Sequence, residues 1–202
     1  MRTLLMTICI VFAGLLTAEA QTELKTKLDE ADKAYNSGNY EEARFALQQS
    51  LVELDKVVGE AIIKLLPNEV SGVPAEADSD QMHGGAAGIS GVYVSRYYAK
   101  AEQTVNLEII TNSPFLAMVN AAITNPLLAS MSGGNQKIVK IGGYKSLVEK
   151  SEGSDVESYD IKIPINDSMI ILECRGFSQN ESIAIGNSLN IKEIASLISS
   201  GQ

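Results

Sequence analysis

Hydrophobic residues recur at spacings of three and four over the part of the chain that follows residue 20. This pattern is interrupted by Ser37-Gly38-Asn39, resumes near Tyr40 and ends at Pro67. Apolar spacing of this kind predicts an amphipathic helix on each side of the turn. We therefore predict an antiparallel helical hairpin over residues 21–66. Its expected contact face contains Leu24, Leu28, Ala31, Tyr35, Ala43, Leu47, Leu51, Leu54, Val58, Ile62 and Leu65.

The segment 67–88 lacks any such periodicity. Proline, glycine and small polar residues are frequent in it, and the glycines gather at its end. This composition is typical of a linker or a long loop. We predict a boundary here, between the hairpin and a second domain over residues 89–202.

From Ile89 onward the apolar period becomes two, which predicts β-strands. The alternating segments are 92–98, 105–109, 137–141, 144–149, 159–163 and 169–174. Ser113 and Pro114 are expected to open a buried helix over 115–128, and Asn190 with Glu193 to cap a terminal helix. The predicted fold class is α+β: the helical hairpin, then an antiparallel sheet of five to six strands with two helices on one face.

Residues 1–20 have the pattern of a secretory signal peptide. Arg2 precedes an apolar run from Leu4 to Leu16, and Thr17-Ala18-Glu19-Ala20 ends with the small residues that signal peptidase recognises. The apolar run is shorter than the roughly 18 residues that a membrane-spanning helix requires. We expect cleavage near Ala20 and an exported protein, periplasmic or secreted, with no transmembrane span.

The segment Ala34–Ala43 resembles the centre of a tetratricopeptide repeat. Gly38 stands where that family has a turn glycine, and Tyr40 and Ala43 where its second helix packs on the first. The resemblance covers residues 24–57 and implies hairpin geometry. A single repeat does not form the peptide-binding groove of a repeat array, and the proline expected after the second helix is missing. The order of elements after residue 89 is similar to that of PsbP- and Mog1-like sheet domains.

Charge and cysteine content narrow the possible functions. The net charge is −9, so the chain lacks the basic surface that nucleic acids or anionic lipids require. Cys9 lies in the predicted signal peptide, which leaves Cys174 as the one thiol of the exported chain and rules out an internal disulfide. Because Cys174 lies in an apolar run, we expect it to be buried and unreactive.

An acidic loop and a glycine-rich loop are the candidate chemical sites. Asp78, Asp80 and His83, the single histidine, are weak metal-ligand candidates in the first loop. Residues 84–91 could present backbone N–H groups to an anion, but they lack the lysine of a phosphate-binding loop, and we interpret them as a connector. We therefore predict no catalytic residue, no cofactor site and no metal site.

The residues Tyr93, Arg96, Tyr97 and Tyr98 are the strongest candidates for binding a partner. On a strand, Tyr93 and Tyr97 share one face, while Arg96 and Tyr98 share the other. Tyrosine and arginine are enriched at interface hot spots, although the same residues also pack sheets internally.

Three functions remain open from the sequence. The preferred one is an exported, non-enzymatic interaction or scaffold module that binds another envelope protein or a second copy of itself. The second is a carrier that holds a small apolar ligand between the sheet and the helix over 115–128. The third is a hydrolase or metal-dependent enzyme centred on His83.

Overall fold

The computed structural model of the chain describes residues 21–84, 91–125, 135–151, 153 and 155–199. These residues form a helical pair followed by an antiparallel sheet and further helices, so the predicted α+β class is confirmed. The elements are α1 (21–36), α2 (Tyr40–Leu65), β1 (Glu69–Val70), β2 (Val73–Pro74), β3 (Gln81–Gly84), β4 (Val92–Lys100), β5 (Gln103–Ile110), α3 (Leu116–Thr124), β6 (Gln136–Ile141), β7 (Tyr144–Lys150), β8 (Ser158–Ile165), β9 (Ser168–Arg175), α4 (Gln179–Ser188) and α5 (Ile191–Ile198).

The chain divides into two compact units, and the division falls inside α2. One unit contains the described residues up to Glu60 and those between 83 and 92; the other contains Ala61–Met82 and the described residues from Tyr93 onward. The segment predicted as a linker, 67–88, instead contains β1, β2, a short 3-10 helix and β3. Its short strands were missed because two to four residues are too few to display a period of two.

The turn between α1 and α2 has the geometry that its sequence predicts. Gly38 adopts a φ of +79°, in the left-handed region that glycine occupies without steric cost. The Asn39 backbone N–H donates to the Ala34 carbonyl at 2.9 Å, which satisfies one of the last carbonyls of α1. The hairpin prediction is therefore confirmed.

The main sheet has seven strands in the order β3-β4-β5-β9-β8-β7-β6. All six predicted strands are present, and β3 is the additional strand at one edge. Five pairs of neighbouring strands are antiparallel: β4 with β5, β5 with β9, β9 with β8, β8 with β7, and β7 with β6. The predicted number of strands, five to six, was too low because β3 lies in the segment predicted as a linker.

One face of the sheet forms the main core and is covered by α4. A Cβ at Gly186 of α4 would lie 2.9 Å from Ile141 Cγ2 and 3.4 Å from Leu172 Cδ1, so the helix backbone touches the sheet there. The sequence did not predict α4, although Ser178 and Glu181 form the capping box that begins it. The predicted box at Asn190 is absent, since that side chain makes no capping hydrogen bond.

The opposite face carries α3, over only part of its surface. Val119 and Ile123 of α3 cluster with Leu147 and Met169 of the sheet. The sequence placed two helices on one face, whereas α3 and α4 lie on opposite faces. The prediction that this helix is well buried is wrong at Phe115 and Met118, which are 53% and 61% exposed.

The start of α3 also differs from the prediction. The helix begins at Leu116, and the predicted N-cap residue Ser113 lies outside it with a buried Oγ that has no hydrogen-bond partner. The predicted continuation from 126 to 128 lies outside the described residues. Within the described ranges, no helix has the length and apolar content needed to cross a bilayer.

Candidate interaction surface

The buried residues of the hairpin nearest its turn are small. Ala31 and Ala34 of α1 are 5% and 7% exposed, and Ala43 and Ala46 of α2 are 5% and 4% exposed. Ser50 and Glu53 continue this buried stripe along α2. Near the turn the two helices therefore meet along a seam of alanines, which allows their backbones to come close together.

The large apolar side chains predicted to form the contact face lie outside this seam. Leu28 of α1 is 47% exposed, and Leu47, Leu51 and Leu54 of α2 are between 42% and 51% exposed. Tyr40 was expected to pack the second helix onto the first, yet it is 67% exposed. The predicted contact face is confirmed at Ala31 and Ala43, which are buried. It is wrong at Leu47, Leu51 and Leu54, because the buried residue directly before each of them occupies the seam.

The exposed apolar residues project from one side of the hairpin. On α2, Leu47, Leu51 and Leu54 each follow a buried seam residue directly, and on α1 Tyr35 follows Ala34 in the same way. In each helix, the residue after a seam residue is rotated by about 100° around the helix axis. Because the two helices are antiparallel, this rotation places the side chains of both helices on the same side of the hairpin. The rings of Tyr35 and Tyr40 confirm this, since their centroids are 5.9 Å apart.

We call this surface the hairpin face. It consists of Leu28, Tyr35, Tyr40, Leu47, Leu51 and Leu54. Phe45 is also exposed, at 61%, but it precedes the seam residue Ala46 and so lies on the other side of the hairpin. A contiguous apolar surface of this kind on a folded protein usually marks an interaction site.

The four residues predicted to bind a partner lie on two different faces of β4, as the alternation of side chains along a strand requires. Arg96 and Tyr98 lie on the core face of β4, where they are 5% and 0% exposed. Neither is available at the surface of this structure. Tyr93 and Tyr97 lie on the opposite face and are half-buried.

Arg96 and Tyr98 bind the end of α2 within the second unit. Arg96 Nη1 donates to the Leu66 carbonyl at 2.9 Å, and the Tyr98 hydroxyl donates to the Pro67 carbonyl at 2.9 Å. Asp80 completes the arrangement by accepting from Arg96 Nε at 2.8 Å and from Nη2 at 2.5 Å. Burial raises the pKa of Tyr98 to about 12, and the hydrogen bond to Asp80 raises the pKa of Arg96.

Tyr97 lines a polar pocket on the half of the sheet face that α3 leaves open. The pocket has a volume of about 420 Å³. Polar side chains surround it: Ser79, Gln81, Ser95, Thr104, Asn106, Glu173 and Arg175. The lining suits small polar molecules or water rather than an apolar ligand.

The weak metal-ligand candidates are not brought together as a metal site in the described part of the chain. There, no group of three His, Cys, Asp or Glu side chains is placed to hold a metal ion. Asp80 is engaged by Arg96, Asp78 lies in the 3-10 helix Ala77–Ser79, and His83 is exposed on β3.

Cys174 and the glycine-rich loop also have defined positions. Cys174 is completely buried, and this burial raises the pKa of its thiol to about 12. Residues 85–90 of the loop lie outside the described residues. At the ends of the loop, Gly84 packs against the α2 backbone near Val52, and the Gly91 N–H donates to Asp55 Oδ2 at 2.9 Å.

Comparison with known proteins adds no further constraint. No protein-family model, no curated protein and no solved structure matches this chain.

Proposed function

We propose that the protein is an exported, non-enzymatic interaction module that binds another polypeptide through the hairpin face. The observation that carries this proposal is the placement of six large apolar side chains, 42% to 67% exposed, on one side of the hairpin. The signal-peptide pattern of residues 1–20 supports export, so the partner belongs to the periplasm or the secreted fraction.

Burial of this face supplies enough free energy for specific association. Completely burying one Leu side chain gains about 1.5–3 kcal/mol, and half of that remains available at Leu47, Leu51 and Leu54. Tyr35 and Tyr40 add the aromatic area that is enriched at interface hot spots. Together these residues can supply several kcal/mol, so their exposure in a single chain favours a surface that a partner covers.

The two other functions have less support in the described residues. An apolar carrier requires a cavity under α3, but Val119 and Ile123 pack there against Leu147 and Met169, and the pocket at Tyr97 is polar. An enzyme centred on His83 requires a base or ligand partner of defined geometry. The nearby Asp80 is instead paired with Arg96.

Site-specific photo-crosslinking in the producing cell tests the proposal. A photoreactive amino acid replaces Leu51 on the hairpin face, and in a matched control it replaces Phe45 on the other side. Both positions are about half exposed or more, at 49% and 61%, so their access to solvent is comparable.

We expect a discrete crosslinked polypeptide from position 51 and none from position 45. The adduct should appear in the exported fraction, with an N-terminus at Gln21. Absence of an adduct at position 51, or equal adducts at both positions, would refute the hairpin face as a docking site. An uncleaved protein retained in the cytoplasm would refute export.

A further inference from the structure

We infer that the occupant of the hairpin face is a second copy of the same chain, arranged about a two-fold axis parallel to α1 and α2. This inference rests on the proposed function and names the partner of the same surface. The area of the face and the charges on its flanks support this partner.

The area of the hairpin face matches what a dimer of this size requires. Aromatic side chains bury about 150–250 Å² each, and the transfer coefficient gives about 60–120 Å² for a leucine. Multiplying these areas by the exposed fraction of each of the six residues gives roughly 400 Å² of exposed apolar surface on the hairpin face. A standard interface buries about 800 Å² per partner, of which about three fifths is apolar, or roughly 500 Å².

A two-fold axis parallel to the helices makes the face self-complementary. Rotation about this axis places α1 of one copy beside α2 of the other, with both turns at the same end. The product is a four-helix bundle in which the two hairpin faces meet at the centre. In this arrangement the leucines and tyrosines of the face become the core that a single hairpin lacks.

The charges that flank the face fit this arrangement. Asp32 lies six residues before Gly38 on α1, and Arg44 lies six residues after it on α2, so both stand at the same height above the turn. Each lies on the outer edge of the hairpin face, one turn or less from its apolar residues. Both are exposed, and neither forms an ion pair within the described chain.

The two-fold axis therefore brings Asp32 of each copy beside Arg44 of the other. The pair occurs twice in the dimer, at positions equivalent to the flanking charges that set pairing in helical bundles. An arrangement with the turns at opposite ends would separate these residues by most of the helix length. The charges thus favour one of the two possible two-fold arrangements.

Charge reversal with sedimentation equilibrium tests this inference on the protein purified from the cell that makes it. The variants are Asp32→Arg, Arg44→Asp and the double variant carrying both. Asp29→Arg is the matched control, because it makes the same charge change on the side of α1 away from α2.

We expect the unaltered protein to form dimers. Each single reversal should weaken the dimer about tenfold, because two pairs become repulsive at once. The double variant should restore the dissociation constant to within about threefold, and Asp29→Arg should leave it unchanged.

Two results would overturn the inference. A protein that stays monomeric up to about 100 µM would exclude a second copy as the occupant. A dimer whose dissociation constant is indifferent to both single reversals would exclude this two-fold arrangement. Either result is distinguishable from failure of the proposed function, because position 51 would still crosslink to a different polypeptide if the face binds another protein.

Discussion

Replacing Leu51 by Ser should weaken association far more than it weakens folding of the single chain. Leu51 is 49% exposed, so about half of its apolar surface is already buried by its own hairpin. The other half becomes buried only when a partner covers the hairpin face. Phe45→Ser is the matched control, because Phe45 is 61% exposed on the other side of α2.

The magnitude follows from these exposed fractions. Burial of a complete Leu side chain gains about 1.5–3 kcal/mol, so the exposed half of Leu51 represents roughly 1 kcal/mol in each copy. A two-fold dimer loses this amount twice, or about 2 kcal/mol. Since 1.4 kcal/mol corresponds to a factor of ten, the dissociation constant should rise about 30-fold.

Two measurements separate association from folding. Sedimentation equilibrium gives the dissociation constant, and urea unfolding at a concentration where the variants are monomeric gives the free energy of unfolding. We expect Leu51→Ser and Phe45→Ser to lower the free energy of unfolding by similar amounts, about 1 kcal/mol each. Only Leu51→Ser should change the dissociation constant. An equal change for both variants, or none for Leu51→Ser, would refute the reasoning.

Three further predictions concern the second unit. Arg96→Met should lower the free energy of unfolding by about 3 kcal/mol in urea titrations, because it leaves the Asp80 carboxylate and the Leu66 carbonyl without their donor. Gly186→Ala should lower it by about 1–3 kcal/mol, because the new methyl group meets Ile141 at 2.9 Å, and a thermal melt will show the loss. Cys174 should resist a thiol reagent at pH 8 until the protein unfolds, since its pKa is raised to about 12. The folded state holds that proton more tightly, so its contribution to stability should fall as the pH rises from near 8.5 towards 12.

Much of the fold was predictable because its signals are local. The period of two identified six strands of the sheet, and the glycine turn identified the hairpin. The failures lie where the signal is short or depends on tertiary contacts. β3 has four residues. Phe115 and Met118, at the start of α3, are exposed although the sequence there is almost entirely apolar.

The seam of the hairpin shows why the sequence did not separate the contact between the two helices from the exposed surface. The sequence contains two adjacent stripes on α2, one of small residues and one of leucines, and hydrophobicity favours the leucines as the contact face. Close approach of the two helices instead selects Ala46 and Ser50, together with the predicted Ala43. The spacing of alanines at 31, 34, 43 and 46 was the available signal.

The residues predicted to bind a partner illustrate the same limit. Alternation placed Arg96 and Tyr98 together on one face of β4, which the structure confirms, but it could not show that this face is the core. Their hydrogen bonds go to the Leu66 and Pro67 carbonyls, about thirty residues earlier in the chain. No local pattern reports such a contact.

The most direct test of the central claim is hydroxyl-radical footprinting of the protein purified from its own cell, at concentrations above and below the dissociation constant. This measurement reports the solvent access of individual side chains. We predict that Tyr35, Tyr40 and Leu51 become protected as the protein associates, while Phe45 stays equally reactive throughout. Association that leaves Tyr35, Tyr40 and Leu51 as reactive as they are at the lowest concentration would contradict the assignment of the hairpin face as the interface.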